Sequence, residues 1–96
     1  MDYSYVYIIT NKNHTVLYTG VTSDLLDRIR KHRLKWFDGF SSRYQLTELV
    51  YYEELPNITA AIAREKQIKN WSRQHKLDLI EKHNPCWRNL LVEDDI

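Results

Sequence analysis

A glutamate interrupts the apolar side of a predicted helix in the second half of the chain, where it could hold a metal ion. The apolar residues of that side are Ile58, Ala61, Ile62 and Ile68. Glu65 continues the same helical series, and a carboxylate in line with core residues needs a partner or a metal. In the structural alternative, Glu65 pairs with a nearby arginine or lies at the edge of the stripe.

An arginine and a histidine share one side of an earlier predicted helix, where they could bind a phosphate and assist proton transfer. Arg28 lies one turn before His32, so the two side chains project from the same side. His32 also lies within an apolar stripe made by Leu25, Ile29 and Trp36. The structural alternative is a core histidine with a satisfied hydrogen bond and an arginine that is merely solvated.

Tyrosines recur in a predicted β-hairpin at the start of the chain. If the turn at residues 11–14 makes Thr10 face Thr15, antiparallel pairing puts Tyr7 opposite Tyr18 and Tyr5 opposite Gly20. Paired tyrosines are also good sheet builders and need no further role. A glycine within a strand is more informative, since it indicates a bulge or a close contact with another group.

The remaining pattern predicts the elements that must position these residues. Strands are expected at 3–10, 15–22 and 46–54, and helices at 24–37, from 57 or 59 to 71, and at 73–83. Asp24 or Ser23, Asn57 or Thr59, and Ser72 are the candidate N-caps, and residues 38–43 are expected to form a loop. The predicted fold is α+β: a small three-stranded mixed sheet flanked by helices, in the order ββαβαα. We expect one domain over 1–96, with its core at about 3–91 and a frayed acidic tail at 92–96.

Charge is distributed unevenly along a chain that is nearly neutral overall. The 96 residues carry a formal net charge of +1, yet residues 28–43 hold six Lys or Arg and residues 64–76 hold five. Two basic segments in such a chain are a possible footprint for the phosphates of nucleic acid. The alternative is that they form two solvated helix faces.

Cysteine usage and the lack of long apolar runs exclude several other classes. Cys86 is the only cysteine, so the chain can form neither a disulfide framework nor a cysteine-rich zinc site. The sequence shows no signal peptide and no apolar run long enough to span a bilayer. We therefore expect no membrane partner and a reducing, cytoplasmic setting.

The motifs, taken in order, resemble the GIY-YIG nuclease family, which includes catalytic domains of excision-repair nuclease subunits. Tyr5-Val6-Tyr7 and Tyr18-Thr19-Gly20 stand where the family has its two signature tripeptides. The runs LYTGVTSDLLDRIRKH and AAIAREKQIKNW are similar to the helices that carry its essential arginine and its metal-binding glutamate. The ending HNPCWRNL is similar to that of small stand-alone members. The likeness covers roughly residues 3–91.

This resemblance implies a metal-dependent endonuclease that hydrolyses phosphodiester bonds by a one-metal mechanism, with DNA as the favoured substrate and a possible link to DNA repair. It places one Mg²⁺ or Mn²⁺ ion on Glu65, which alone can suffice because Mg²⁺ keeps most of its waters. Tyr18 would take the proton of the attacking water, Arg28 would stabilise the phosphate, and Tyr7 and His32 would complete the catalytic set. The expected nucleic-acid contacts are Arg30, Lys31, Arg33, Lys35, Arg43, Lys69 and Arg73.

Departures from the family pattern keep two other function classes open. Val21 stands where some members carry a lysine, and Asn89 is the nearest counterpart of an asparagine found near the end of some members' domains. The chain could therefore be a nucleic-acid-binding module with little activity. It could also be a protein-interaction domain that uses an aromatic surface, at Trp36, Phe37, Phe40 and Tyr44. A targeting protein partner is possible, since no separate DNA-binding domain is evident.

Overall fold

A computed structural model of the chain describes residues 3–34 and 43–91. Within these residues six elements follow one another in the predicted order ββαβαα, which confirms the α+β fold class. They are β1 (Ser4–Thr10), β2 (Leu17–Thr22), α1 (Leu25–Arg33), β3 (Glu48–Leu55), α2 (Ile58–Lys69) and α3 (Arg73–His83). No helix in 3–34 or 43–91 is long and apolar enough to cross a membrane. The predicted tail at 92–96 lies outside these residues.

The sheet has the order β2-β1-β3, and both of its pairings are antiparallel. The expectation of a mixed sheet was wrong. A strand–helix–strand connection commonly leads to a parallel neighbour. Here β1 lies between β2 and β3, so those two strands run the same way without pairing. The first strand of the chain is therefore the central one, and β2 is an edge strand.

The register of the hairpin differs from the predicted one by two residues. Thr10 pairs with Leu17 and Tyr7 with Gly20, so Tyr7 is not directly opposite Tyr18. The cause lies in the turn, where the Asn11 side-chain oxygen accepts from the Thr15 and Val16 N–H groups at 2.9 and 3.0 Å. These two residues thus bond to the turn instead of extending the ladder. A shift of two residues keeps every side chain on its predicted face.

Side-chain caps begin all three described helices. Asp24, Asn57 and Ser72 accept hydrogen bonds from the backbone N–H three residues later, as expected of N-caps. The two earlier helices end sooner than predicted, at Arg33 rather than 37 and at Lys69 rather than 71. In each case the C-cap N–H bonds to carbonyls two to four residues back, which closes the last turn. Trp36 and the predicted loop residues 38–42 lie outside the described residues.

The two faces of the sheet bury separate apolar cores. Val6 and Ile8 of β1 face the core covered by α2 and α3, which also contains Ala61, Ile68 and Ile80. Tyr7 and Ile9 face the other core, which α1 covers with Ile29 and which also contains Leu46 and Leu49. Because side chains alternate along a strand, β1 contributes to both cores. The helices α1 and α2 therefore lie on opposite faces of the sheet.

The buried side of α2 is rotated away from the predicted stripe. Ala61 and Ile68 are fully buried, whereas Ile58 and Ile62 are 44% and 39% exposed. The stripe prediction was wrong for those two isoleucines. Ala61, Glu65 and Ile68 recur at spacings of four and three, so Glu65 lies beside the buried residues, with its side chain only 14% exposed.

Arg33 at the end of α1 joins three segments that are distant in sequence. Its guanidinium donates to the Thr47 carbonyl at 2.9 Å, to Asn89 Oδ1 at 3.0 Å and to the Leu91 carbonyl at 2.6 Å. Asn89 Oδ1 also accepts from the Leu49 N–H at 3.2 Å. These bonds tie α1 to the start of β3 and to the C-terminal segment, so Arg33 and Asn89 act here as structural residues.

We predict that Arg33→Lys destabilises the fold even though it keeps the positive charge. A lysine cannot reproduce the planar fork that serves three acceptors, so the free energy of unfolding should fall by about 1–3 kcal/mol. Urea unfolding monitored by tryptophan fluorescence measures the change. An Arg33→Lys variant as stable as the wild type, with weaker nucleic-acid binding, would instead identify Arg33 as a phosphate contact.

Candidate active site

A buried tyrosine–histidine pair forms the centre of the candidate site. Tyr7 Oη lies 3.0 Å from His32 Nε2, within hydrogen-bond distance. Tyr7 is completely buried and His32 is 5% exposed. The tyrosine comes from the central strand and the histidine from the last turn of α1. The bond therefore fixes the end of α1 over the middle of the sheet.

Gly20 provides the space that the Tyr7 ring occupies. The two residues are paired across β1 and β2. A β-carbon on residue 20 would lie 2.8 Å from Tyr7 Cε1 and closer still to Cζ and Oη. Contacts this short do not occur in real structures, so any side chain at position 20 would displace the phenol. The glycine thus lets Tyr7 extend across the edge strand β2, which is the close contact that a glycine within a strand indicates.

Tyr18 lies against the same pair. Its ring centroid is 6.4 Å from that of Tyr7 and 5.7 Å from that of His32, both in edge-to-face geometry. The Lys69 ammonium lies 5.9 Å from the centre of the Tyr18 ring. A cation over an aromatic face at this distance is attracted to it. Tyr18 is thus in contact with the central pair and with the end of α2.

Glu65 reaches the site from the helix on the other face of the sheet. Its carboxylate pairs with Lys69 Nζ at 3.0 Å, one turn along α2. Its charge also contributes to the elevated pKa of Tyr7, so the two groups are close enough to interact. Because α1 and α2 lie on opposite faces, their side chains can meet only at an edge of the sheet. The edge strand β2, with Gly20 in it, is where they meet.

Burial keeps the central pair uncharged at neutral pH. Desolvation, followed by the positive charge of Arg28, lowers the pKa of His32 to about 4. Desolvation, followed by the neighbouring Tyr18, raises the pKa of Tyr7 to about 12, although the charge of Arg28 and its hydrogen bond act in the opposite direction. The pair is therefore a neutral imidazole and a protonated phenol beside a guanidinium. Such an imidazole has one ring nitrogen that donates a hydrogen bond and one that accepts.

The structure brings the five predicted catalytic residues together and separates the predicted binding residues. The cluster comprises Tyr7, Tyr18, Arg28, His32 and Glu65. Among the binding candidates, Lys69 lies within this cluster. Arg73 lies near the hairpin turn, with a guanidinium nitrogen 3.5 Å from the His14 carbonyl.

The other predicted binding residues lie outside the cluster or have structural contacts. Lys31 pairs with Asp27 at 3.0 Å on α1, which also carries the half-buried Arg30. Arg43 lies over the Tyr44 ring, 5.6 Å from its centre. Lys35 lies outside the described residues. Arg33 is engaged within the fold, so we leave it out of the proposed interface.

Lys69 has a contact that the sequence reasoning did not identify. It was expected to contact nucleic acid, but it also neutralises Glu65 and covers the Tyr18 ring. The spacing of Glu65 and Lys69, four residues apart on a helix, is the signal that could have indicated the ion pair. The contact with Tyr18 depends on the packing of α2 against β2, which local sequence does not encode.

The donor set of the cluster fits a hard divalent cation with a single protein ligand. Glu65 is the only carboxylate in it, and no group of three or more metal-binding side chains occurs within 3–34 or 43–91. Mg²⁺ takes oxygen ligands and usually keeps several waters, so one carboxylate is an adequate anchor. A zinc site, which needs three or four close nitrogen or sulfur ligands, does not fit these described residues.

Comparison with known proteins identifies the class to which this fold and cluster belong. Residues 3–78 match the model of the GIY-YIG catalytic domain. The chain therefore belongs to the GIY-YIG family, a family of nucleases that generally use a divalent metal and act on nucleic acid. The matched span contains all five residues of the cluster.

Within this family the chain is similar to small proteins called UPF0213 proteins. It is 35% identical over 81 residues to one from Haloquadratum walsbyi, covering 84% of this chain and 90% of that protein. It is 38% identical over 82 residues to one from Staphylococcus saprophyticus, covering 85% and 99%. The solution NMR structure of a UPF0213 protein from Bacillus halodurans superposes with a TM-score of 0.58 at 27% identity, covering 97% of both chains.

We predict that Gly20→Ala destabilises the protein through its contact with Tyr7. The added methyl group must displace the phenol, and overpacking of this kind costs about 1–3 kcal/mol. In a Tyr7→Ala background the ring is gone, so Gly20→Ala should cost much less there. Unfolding free energies of the four proteins give the coupling between the two sites. Equal costs in both backgrounds would show that Gly20 is required for another reason.

We predict that His32 makes the protein lose stability as the pH falls from 6.5 to 4. In this range the unfolded chain binds a proton that the folded chain, with a His32 pKa of about 4, does not. The free energy of unfolding should therefore fall, by up to about 3 kcal/mol, as the pH decreases through this window. His32→Gln should remove that part of the dependence, whereas His83→Gln at an exposed position should leave it. Urea unfolding at several pH values compares the slopes, and identical slopes for wild type and His32→Gln would contradict the assignment.

Proposed function

We propose that this chain is a divalent-metal-dependent endonuclease that hydrolyses phosphodiester bonds of nucleic acid, with DNA as the favoured substrate. The observation that carries the proposal is the meeting of Tyr7, His32 and Tyr18 with Glu65 at the edge strand β2. Two helices from opposite faces of the sheet contribute to this one point. A purely structural packing arrangement would not require a carboxylate, a guanidinium and an uncharged imidazole around the same phenol.

Glu65 would hold the metal ion, Mg²⁺ or Mn²⁺. When bound there, the ion would supply Lewis acidity at a phosphate oxygen and stabilise the developing charge. Lys69 Nζ pairs with the Glu65 carboxylate at 3.0 Å, and the lysine side chain is 48% exposed. Solvent reaches the lysine of this pair, so the ion pair contributes only modest stability and Lys69 can yield Glu65 to another cation.

Arg28 is the residue suited to hold the phosphate under attack. A guanidinium matches phosphate geometry with several donors, and it stabilises negative charge best where water is excluded. Arg28 acts on both Tyr7 and His32, which places its charge in the middle of the cluster. Tyr7, held between Arg28 and His32, would keep the guanidinium oriented without itself losing a proton.

Tyr18 would take the proton from the attacking water. The water oxygen forms the new bond to phosphorus as the bond to the leaving oxygen breaks, and solvent supplies the proton to that oxygen. The cations of Arg28 and Lys69 stabilise negative charge that develops on the phenol. His32, uncharged at neutral pH, lies beside both tyrosines and would help to hold them in place, while the proton taken up by Tyr18 passes on to solvent.

A binding module with little activity is the second candidate, favoured by one observation. Val21, at the position where some members carry a lysine, packs against the core beneath α2 and presents no charge to the site. Metal-dependent cutting of any substrate in a panel of single-stranded, duplex and branched molecules favours the enzyme. Salt-sensitive binding without cutting favours the module. If neither cutting nor binding is observed, the chain is a protein-interaction domain or an enzyme that depends on a targeting partner.

We predict that Glu65→Gln abolishes cutting while it preserves the fold and the binding of nucleic acid. The substitution keeps the size of the side chain but removes its charge, and the metal's contribution is worth several kcal/mol. Because ~1.4 kcal/mol corresponds to a tenfold rate change, cutting should fall by about two orders of magnitude or more. Stability should change by less than about 1 kcal/mol, since Lys69 remains solvated. Cleavage, affinity and thermal melting are measured on one preparation.

Glu53→Gln is the matched control for this experiment. Glu53 accepts from Arg64 Nε at 2.7 Å in an ion pair away from the cluster, and its side chain is 21% exposed. The same chemical change there should lower the melting temperature and leave the cutting rate of the folded protein unchanged. If Glu65→Gln melts early but cuts at the wild-type rate, Glu65 is a structural residue and the proposed metal site is wrong.

A further inference from the structure

A polar, positively charged recess lies at the hairpin-turn end of the sheet, away from the cluster. It has a volume of about 490 Å³, and its lining includes Asn11, Lys12, Asn13, Arg43, Tyr44 and Gln45. The lining thus combines two cations, three side-chain amides and a tyrosine that is 41% exposed. Cations hold phosphates, and amides and aromatic rings contact sugars and bases.

One carboxylate also lines this recess. Glu48 Oε1 lies 3.6 Å from His14 Nε2, and the His14 ring stacks on Trp87 at 4.9 Å. Lys12 and Arg43 supply two positive charges against this one carboxylate, so the recess is net positive. Its chemistry fits an anionic ligand.

The opposite end of the sheet has the reverse character. The cavity there, of about 400 Å³, is lined by Asp24 and Glu54 together with tyrosines and leucines, and no lysine or arginine among the described residues lines it. Phosphates would be repelled from this end and attracted to the other. This difference in charge between the two ends favours a bound strand that extends from the cluster toward the hairpin turn.

Basic residues connect the cluster to the recess. Lys69 lies over Tyr18, and Arg73, at the start of the next helix, lies 3.5 Å from the His14 carbonyl in the hairpin turn. From Tyr7 to Asn11, where the turn follows the end of β1 at Thr10, the chain advances four residues, or about 14 Å at ~3.4 Å per residue. A duplex strand advances ~3.4 Å per nucleotide, so this distance corresponds to about four nucleotides.

The geometry points to this recess as a subsite that grips the nucleic-acid backbone about four nucleotides to one side of the scissile bond. The ligand class is a phosphodiester strand, with Lys12 and Arg43 on its phosphates and Tyr44 beside a sugar or base. The position of the subsite relative to the cut rests on the proposed nuclease function. The phosphate contacts of the subsite require only that the chain bind nucleic acid, whether or not it cuts.

Binding tests the subsite independently of cutting. The probe is a duplex DNA oligonucleotide in EDTA, and its affinity is measured by fluorescence anisotropy over a series of salt concentrations. The double variant Lys12→Gln/Arg43→Gln should bind more weakly, with a salt slope lower by about two because each lost phosphate contact removes ~0.9. The control Lys82→Gln/Arg88→Gln removes the same charge from exposed positions outside the two basic segments and should keep the wild-type slope. Equal slopes for both double variants would overturn the subsite.

A cleavage assay tests where the subsite lies relative to the scissile bond. Substrates are shortened on one side of the cleavage site at a time, and the rate is followed with Mg²⁺. Shortening below about four nucleotides should slow the wild type on one side only, and the recess variant should be insensitive on that side. Equal sensitivity on both sides would overturn the one-sided grip. If no substrate is cut but the salt slopes differ as expected, the proposed nuclease activity fails while the subsite stands.

Discussion

Tyr7 fills the space over Gly20, and this contact sets the positions of the other groups in the site. The ring crosses the edge strand because residue 20 has no side chain, and its hydroxyl there meets His32 from α1. Tyr18 and the end of α2 surround the same ring. Because residue 20 is a glycine, Tyr7 of the central strand reaches the sheet edge, where side chains from helices on opposite faces of the sheet meet. Close packing of this kind transmits small changes, because the interior has no free volume to absorb them.

The site combines groups whose charges are controlled by different means. His32 and Tyr7 are uncharged because they are buried, whereas Glu65 and Lys69 are charged and partly exposed at the helix edge. An uncharged pair in the interior keeps its hydrogen bond and its geometry over a wide range of pH. A charged pair near the surface can exchange partners with ions and phosphates. This division suits phosphodiester hydrolysis, in which a proton moves and anionic charge develops close together.

Local sequence was sufficient to predict much of this arrangement. Asp24, Asn57 and Ser72 were each among the candidate caps, because capping depends on residues within one turn. The side of α1 that carries Arg28 and His32 followed from helical spacing alone. The two-residue error in the hairpin did not move Tyr7 or Tyr18 to the other face, because side chains alternate with a period of two.

The errors arose where distant segments decide the outcome. The mixed sheet was wrong because the position of β3 beside β1 depends on packing across the whole chain. Ile58 and Ile62 are exposed because the sheet meets α2 along Ala61 and Ile68, a contact that hydrophobicity alone does not reveal. Arg33 belonged to a basic segment in sequence, yet its acceptors are residues 14, 56 and 58 positions away. No local pattern distinguishes such an arginine from its solvated neighbours.

The Arg33 contacts also bear on when the fold can be completed during synthesis. Two of its three acceptors, Asn89 Oδ1 and the Leu91 carbonyl, are supplied near the end of the chain. A nascent chain can form the sheet once β3 has left the ribosome, but the end of α1 then lacks most of its partners. The histidine over Tyr7 is the residue directly before this arginine. The geometry of the candidate site is therefore expected to become fixed only after the segment that follows α3 has emerged.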